Sequence, residues 1–498
     1  MTETKQRIPG VAAFAVVAAL AAGAAACQSQ APAPAAGPAA DDRAEDAQNV
    51  RLVGYTDLQG RESLVVTTLS NPANGSWVYV GHHESFWDDK PKMNPLTGRD
   101  EWNGTSVVNV DDPANPKYVW HIPNDANRNS RGVSVVYDYT FDGQGRDYLI
   151  RNSEALTQGE TGTDLKYQIF DITDRGTDPS KMALVSEITG TPPNSCGPGC
   201  GGTFILRAHK GWWSAETGYF YAASGEPGFR NVIVQIFDLR NPKEPKFVGR
   251  SWLPGLKETE PKALYEGQYS HHPVVDEQNK RLYVGYRNNG GQIAGFDITD
   301  PANQKLLWSL DMNPPFRGPH TVSPIVYDQV PNVGPTGLPR TYAFVVDEAA
   351  AGDTAPCENP IRAASYMVDI TGETKATPVS VWQVPVGDFC KKGGRFGPHQ
   401  SAETVNGTIN RFENKLAWLA YFNAGIRVVD LSDPFNLKEV GFYVPKAAPT
   451  SHPMAKDQPA VIQINDVDID HRGLAYASDR AGAGLFILEY MGTQNDTR

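Results

Sequence analysis

Histidines are scarce in this sequence, yet two of them stand in almost the same local setting. The chain has 10 histidines among 498 residues. His320 follows Gly-Pro in "FRGPHTVSP", and His399 follows Gly-Pro in "RFGPHQSAE". His209 in "LRAHKGWW" and the pair His271 and His272 in "YSHHPVV" also lie at the start of strand-like runs. Neutral imidazoles that converge from several strands are typical ligands of a divalent transition metal.

The segments that carry these histidines belong to an internal repeat. Six phrases share an apolar strand, an Asp, a polar turn that usually contains Pro, and a second strand: "VVNVDDPANPKYV", "YQIFDITDRGTDP", "VQIFDLRNPKEPKFVG", "IAGFDITDPANQKLL", "YMVDITGETKATPV" and "IRVVDLSDPFNLKEVG". They recur at spacings of roughly 60 to 70 residues. Two further strand-like runs precede each phrase, so each unit is predicted to be a four-stranded antiparallel sheet, which is the blade of a β-propeller.

The two ends of the repeat region complement each other. The last unit, "INDVDIDHRGLAYASDRAGAGLFILEYMG", supplies three strands, and the early segment "NVRLVGYTDLQG" looks like the fourth strands "PKFVGRSWLPG" and "LKEVGFYVPKA". An N-terminal strand that completes the last sheet would remove an open sheet edge. The sequence therefore predicts an all-β fold: a seven-bladed β-propeller over residues 49–492, closed by its N-terminal strand.

The segment "LAWLAYFNAGIRVVDLSDPFNLKEVGFYVP" resembles the repeat of LVIVD-repeat proteins, a family of exported bacterial β-propellers. The other phrases fit that repeat to some degree, from about residue 49 to residue 490. Most of the motif is strand and turn chemistry, so it is specific for fold and weak for activity. The resemblance implies a propeller ectodomain and names no substrate.

The first residues have the composition of an export signal. Lys5 and Arg7 precede the run "GVAAFAVVAALAAGAAA", and we predict a signal peptide over residues 1–26. Cys27 in "GAAACQSQ" resembles the lipobox cysteine of bacterial lipoproteins, which is acylated and becomes the first mature residue. Ordinary cleavage after the Ala24 to Ala26 run would instead give a soluble periplasmic or secreted protein.

The segment after Cys27 has no apolar period. Residues 27–48 are Ala/Pro-rich and then acidic, and we predict a disordered tether there and a disordered tail over residues 493–498. The predicted location is the outer membrane or cell envelope, otherwise the periplasm or the medium. The lipid anchor is the only predicted contact with the membrane.

Four further cysteines fit an oxidising compartment. Two disulfides are the simplest expectation, Cys196 with Cys200 and Cys357 with Cys390, although four cysteines permit three pairings.

The overall charge of the chain limits the kinds of molecule that it is expected to bind. A formal net charge of -12 at pH 7 without any basic stripe argues against nucleic acid. A small molecule or an envelope protein is the expected partner.

In a propeller, the start of each innermost strand and the loop between the second and third strands open onto one face around the axis. That rule places His209, His272, His320 and His399 at equivalent positions of four consecutive blades. We predict that they bind one divalent transition metal, namely iron, copper, zinc or manganese. We choose His272 over His271 because His-Pro best matches the strand start.

The loops of the same face supply acidic and basic residues. Carboxylates are predicted to hydrogen-bond the metal-binding rings, and arginines to orient a small anionic substrate. A metal of this kind would serve an enzyme of oxidoreductase or lyase type. The predicted carboxylates are Glu226, Asp347 and Glu348, and the predicted arginines are Arg151, Arg287 and Arg480.

A second interpretation remains open. Each histidine would cap a tight strand start by hydrogen bonding, and repeat proteins copy such structural residues. The chain would then be a non-catalytic binding or assembly scaffold of the cell envelope.

Overall fold

Strands make up nearly all the regular structure of the described part of the chain. The structure is a computed structural model that describes residues 42–71, 74–83, 90–155, 165–189, 207–262, 269–287, 291–312, 318–330, 339–349, 363–403, 415–454 and 458–492. Four short 3-10 helices accompany the strands: Leu58–Gly60, Thr173–Gly176, Pro179–Lys181 and Phe389–Lys391. None of these helices is long and apolar enough to cross a membrane. The all-β prediction is confirmed.

Five of the sheets are antiparallel and have four principal strands in chain order. Sheet 1 contains Ser63–Asn71, Gly75–His82, Thr105–Asn109 and Lys117–Ile122. Sheet 2 contains Val133–Tyr139, Arg146–Ala155, Lys166–Asp171 and Ala183–Ile188, and the short strand Arg128–Asn129 pairs with its second strand. Sheet 3 contains Arg207–Trp213, Tyr219–Gly225, Ile233–Asp238 and Lys246–Ser251.

Sheets 4 and 5 repeat the same order. Sheet 4 contains Tyr269–Asp276, Arg281–Arg287, Gln292–Asp297 and Lys305–Asp311. Sheet 5 contains Pro319–Tyr327, Arg340–Asp347, Ser365–Asp369 and Thr377–Trp382. A separate two-stranded hairpin, Lys92–Asn94 with Arg99–Glu101, lies within the second connection of sheet 1.

Sheet 6 has nine strands that form two parts joined by one pairing, Phe422 with Ile464. The first part contains Phe396–Ser401, Leu416–Phe422, Ile426–Asp430, Lys438–Pro445 and Ala44–Gln48. The second part contains Ile464–Ile469, Ala475–Asp479, Leu485–Tyr490 and Val50–Thr56. The N-terminal strand Val50–Thr56 thus pairs with the last strand of the chain, as its sequence indicates.

A strand lies within the segment predicted as a disordered tether. Ala44–Gln48 falls in the segment predicted as disordered, but it forms a strand against Lys438–Pro445. Arg43 stacks on Tyr55, with its guanidinium carbon 3.7 Å from the ring centroid. The polar sequence "AEDAQ" has little strand propensity of its own, so the partner strand determines its conformation. The first 41 residues lie outside the described part, so the signal segment and Cys27 remain predictions.

The Pro-containing turn of the repeat packs on the preceding sheet. A β-carbon on Gly249 of sheet 3 would lie 2.3 Å from the carbonyl oxygen of Pro301 in sheet 4. A β-carbon on Gly54 of sheet 6 would lie 1.9 Å from the carbonyl oxygen of Pro113 in sheet 1. Glycine therefore lets the turn approach the fourth strand closely at both junctions.

Apolar side chains fill the spaces between neighbouring sheets. One core cluster joins Trp212 of sheet 3 to Val284 of sheet 4 and Val345 of sheet 5. Another joins Val66 of sheet 1 to Ile487 of sheet 6. The first strands of the sheets are thereby held in fixed relative positions, which is what a site built across several sheets requires.

Candidate metal centre

Each first strand that carries a candidate histidine loses its regular pairing at that histidine. The register with the second strand shifts on either side of His209, His271, His320 and His399. A β-bulge inserts an extra residue into one strand and changes the direction of its side chain. The irregular pairing explains how one residue of each strand leaves the usual alternation of faces and turns toward the other histidines.

The four rings follow one another in contact. The ring centroids are 4.5 Å apart for His209 and His271, 4.1 Å for His271 and His320, and 4.3 Å for His320 and His399. The Nε2 atoms of His209 and His271 are 3.1 Å apart. Sheets 3, 4, 5 and 6 therefore each contribute one imidazole to a single cluster.

The carboxylate of Glu348 lies between three of these rings. Its Oε2 atom is 3.7 Å from Nε2 of His271, 3.9 Å from Nε2 of His320 and 3.6 Å from Nε2 of His399. His271, His320 and Glu348 are all buried, and their ligand atoms lie within 4.8 Å of one another. This carboxylate follows the second strand of sheet 5, where the sequence placed it on the same face as the histidines.

Hydrogen bonds at Nδ1 orient three of the rings. His399 Nδ1 contacts the backbone carbonyl of Asn465, and because a carbonyl only accepts, Nδ1 must donate. His320 Nδ1 lies 3.0 Å from the hydroxyl of Thr321, and His209 Nδ1 lies 3.3 Å from Oε2 of Glu154. In a neutral ring that donates from Nδ1, the lone pair is on Nε2, which is the atom facing the cluster.

Burial keeps the inner rings uncharged. Burial lowers the pKa of His271 and of His320 well below the usual value, and neighbouring cationic groups lower both further. Burial also lowers the pKa of His399 to about 4. At neutral pH these imidazoles are neutral, which is the form that binds a metal.

Two arginines hold Glu348 in its charged form. Burial alone would raise the pKa of Glu348, but the guanidinium of Arg287 holds it well below the usual value. Arg287 Nη1 contacts Oε2, and Arg395 Nη1 lies 3.0 Å from Oε1. The centre of the cluster is therefore a carboxylate anion with a guanidinium on each oxygen.

The structure brings His271 to this cluster and places the predicted ligand His272 beside it. His272 Nε2 lies 2.8 Å from Oε2 of Glu403, and its ring centroid is 6.2 Å from that of His320. Its side chain lines a cavity of about 20 Å³ together with Lys210 and Gln400, enough for one water. The bulge at His271 explains the difference, because the extra residue reverses the facing of its neighbour.

The other two predicted carboxylates have different roles. Glu226 accepts from Gln235 Nε2 at 2.5 Å and pairs with Arg250 at 3.0 Å within sheet 3. Asp347 accepts from the backbone N–H of Ala364 at 3.2 Å. These contacts join strands of one sheet, whereas Glu348, the next residue along, faces the rings.

The three predicted arginines lie in different places and have different partners. Arg151 is buried and donates to the backbone carbonyls of Ile122 at 2.7 Å and Pro123 at 2.8 Å, which joins sheet 2 to sheet 1. Arg480 Nη2 lies 2.7 Å from Nε2 of His83. Only Arg287 of the three contacts the carboxylate of the histidine cluster.

The sequence assigned no role to three residues of this region. Arg395 contacts Glu348, Glu154 contacts His209, and the buried Lys210 contacts the side chain of Gln400. Arg395 and Gln400 both belong to the segment "RFGPHQSAE", so the neighbours of His399 already contained this information. Of the predicted disulfide residues, Cys196, Cys200 and Cys357 lie outside the described residues, so both disulfides remain predictions.

No protein-family model and no curated protein matches the sequence, so the LVIVD resemblance stays an expectation. Three solved structures are weakly similar in fold. The periplasmic gluconolactonase of Pseudomonas aeruginosa is 10% identical over 84% of this chain and 94% of its own, with a TM-score of 0.46.

The second is a putative 6-phosphogluconolactonase from Bacteroides uniformis, which is 11% identical over 78% of this chain and 89% of its own, with a TM-score of 0.43. The third is a chain of a mitotic checkpoint complex. It is 10% identical over 93% of this chain and 100% of its own, with a TM-score of 0.45. At these identities and TM-scores the similarities carry no conclusion about function.

Proposed function

We propose that this chain is an exported seven-bladed β-propeller that binds one divalent transition metal at its axial face. The ligands are His209, His271, His320 and His399, with Glu348 at their centre. The metal serves a reaction of oxidoreductase or lyase type on a small anionic substrate. Iron, copper, zinc and manganese all suit imidazole and carboxylate ligands.

One observation carries the metal site. Nε2 of the fully buried His320 has no hydrogen-bond partner among the described residues, although it points at the carboxylate of Glu348. A bound ion is one of several ordinary explanations for such an atom, and other buried side chains of the described residues, such as the hydroxyl of Tyr286, also lack a partner. The lone pair on Nε2 of His320 is therefore free to bind a metal ion.

The distances fit a single ion. Ligand atoms bound at about 2.0–2.2 Å from one ion can be at most about 4.4 Å apart. The separation between His209 and His271, and those from Glu348 to three rings, all lie between 3.1 and 3.9 Å. Among the described residues, only His271, His320 and Glu348 have ligand atoms that all lie within 4.8 Å of one another, so His209 and His399 would have to move closer to bind the same ion.

The chain's own residues prepare the site. A bound metal supplies Lewis-acid or dioxygen chemistry. Hydrogen bonds at Nδ1 of His209, His320 and His399 keep the rings in the required orientation. Burial excludes water from the inner rings, so a ligand approaches from the side of the partly exposed His209 and Arg287.

The contacts between sheets support a closed ring of seven blades, with the two parts of sheet 6 as separate blades. Val66 and Thr68 of sheet 1 donate backbone N–H groups to Asp466 at 2.9 Å and Asp468 at 2.8 Å in the second part of sheet 6. The contact of Gly54 with the turn at Pro113 repeats the one made by Gly249 between sheets 3 and 4.

The proposed location follows from the N-terminal sequence. A signal peptide would export the chain and acylation at Cys27 would anchor it to the envelope, with residues up to Asp42 as the tether. Membrane fractionation of the full chain beside Cys27→Ser tests the anchor. Loss of the protein from membranes in the variant supports acylation, and an unchanged distribution contradicts it.

The scaffold interpretation has one observation in its favour. Arg287 and Arg395 already neutralise the carboxylate of Glu348, so the cluster has an ionic partner without a metal. Histidines that only stabilise the strand starts would then serve a binding or assembly module.

Elemental mass spectrometry on the full chain, purified without a polyhistidine tag, separates the two functions. The proposed site predicts about one transition metal per chain, absent from the double variant His320→Ala and His399→Ala. His452→Ala with His471→Ala is the matched control, because it removes two histidines outside the cluster and should keep the metal. A wild-type chain that holds no metal even after reconstitution rules out the metal site and favours the scaffold.

A further inference from the structure

Arg287 has part of its guanidinium available to a ligand. It is the last residue of the second strand in sheet 4, and its side chain is 15% exposed. Its Nη1 atom contacts the carboxylate of Glu348 and lies 3.2 Å from the hydroxyl of Tyr269. Among the described residues, Nε and Nη2 of this guanidinium make no hydrogen bond or ion pair.

Nε and Nη2 form one edge of the guanidinium. Two parallel N–H groups on that edge match the two oxygens of a carboxylate. His209 is also partly exposed, at 16% of its side chain, whereas His320 and His399 are buried. Solvent therefore reaches the cluster from the side of Arg287 and His209.

The charges around the cluster also favour an anion. The single carboxylate of Glu348 faces two guanidinium groups, those of Arg287 and Arg395. Arg131 and Glu154, 3.3 Å apart, balance each other. A divalent cation bound at the rings would add positive charge beside these two guanidinium groups, and charge in a buried site is costly unless it is paired.

We propose that the site takes up a small carboxylate together with its metal, with Nε and Nη2 of Arg287 donating to the two carboxylate oxygens. This inference rests on the proposed function and names its ligand class. Since each ligand supplies charge that the other lacks, each strengthens the binding of the other by the same factor.

Calorimetric titration of the full, metal-stripped chain with Zn²⁺ tests this coupling. Acetate is the anionic probe, and acetamide is the control because it has nearly the same shape without the charge. We expect acetate to raise the affinity for Zn²⁺ about tenfold after correction for Zn²⁺–acetate binding in solution, and acetamide to leave it unchanged. Arg287→Gln should abolish the effect of acetate: whatever its affinity for Zn²⁺ without the guanidinium that contacts Glu348, that affinity should be the same in acetate and in acetamide.

Arg240→Gln is the matched control, since Arg240 is exposed and pairs with Asp238 in sheet 3. It should retain the full effect of acetate. Equal affinity for Zn²⁺ in acetate and acetamide overturns the coupling and leaves the metal site in place. An acetate effect that persists in Arg287→Gln overturns the role of Arg287. Failure of the wild-type chain to bind Zn²⁺ in every condition overturns the proposed function, and the coupling with it.

Discussion

Oε2 of Glu154 lies 3.3 Å from Nδ1 of His209, so a carboxylate of sheet 2 orients the ring of sheet 3. Asn152 Nδ2 donates to the same oxygen at 2.7 Å and also contacts the carbonyl of Ala208 at 2.9 Å. Arg131 holds the other carboxylate oxygen at 3.3 Å. Hydrogen bonds of this kind set the tautomer and orientation of a metal-binding histidine.

Glu154→Gln should weaken metal binding without unfolding the chain. An amide lacks the charge of the carboxylate and leaves the tautomer of His209 less well determined. We expect the affinity for the metal to fall by about 10- to 100-fold. Competition with a chromophoric chelator measures it. Glu489→Gln, which removes an exposed partner of Arg51, is the control. An unchanged affinity would show that Glu154 does not position the ring.

His271→Ala and His272→Ala should have different effects. His271→Ala removes a ring of the cluster, so the bound metal should be lost. His272→Ala should retain the metal, but it leaves the carboxylate of Glu403 without its 2.8 Å partner. We expect a loss of about 1–3 kcal/mol in the free energy of unfolding. Measurements of metal content and urea denaturation on both variants distinguish the two histidines. Loss of the metal in His272→Ala, with retention in His271→Ala, would identify His272 as the ligand.

Lys210→Met should destabilise the fold. Lys210 is buried and contacts the side chain of Gln400, and burial lowers its pKa while Asp466 and Glu403 oppose that effect. Removing the ammonium takes the donor from the buried side chain of Gln400 and the opposing charge from Asp466 and Glu403, and we expect a loss of about 1–3 kcal/mol in the free energy of unfolding. Urea denaturation measures the loss.

The exposed Lys305 provides the comparison for this variant. Lys305→Met should change the unfolding free energy by no more than about 0.5 kcal/mol. Equal effects of the two substitutions would mean that the charge of Lys210 is not needed at this buried position.

Gly54→Ala should weaken the junction between sheet 6 and sheet 1. A β-carbon there would lie 1.9 Å from the carbonyl oxygen of Pro113, so the strand or the turn must move. We expect a cost of about 1–3 kcal/mol in the free energy of unfolding. Thermal denaturation monitored by circular dichroism measures it.

Gly372→Ala is the matched control, because the nearest atom to a β-carbon there is 3.7 Å away. It should be nearly neutral. If Gly54→Ala is equally neutral, the contact between the first and last sheets does not hold the fold together.

The repeat, the strands within it and the partner of the N-terminal strand could be predicted from the sequence. Alternating apolar residues and Asp/Pro turns specify antiparallel hairpins locally, and the motif around Gly54 matches the other fourth strands. The same repeat placed His209, His320 and His399 at equivalent positions. These features follow from local sequence patterns, so they can be predicted without knowing which segments of the chain contact one another.

Which side chains contact one another could not be predicted from the sequence, because those contacts depend on packing. The choice between His271 and His272 depends on a bulge, and one extra residue reverses the facing of a side chain. Arg151 and Arg287 are both arginines of second strands, but only Arg287 faces Glu348. Ala44–Gln48 is a strand because Lys438–Pro445 offers it an edge. Register, bulges and contacts between distant segments arise from packing, which a linear pattern of residues does not record.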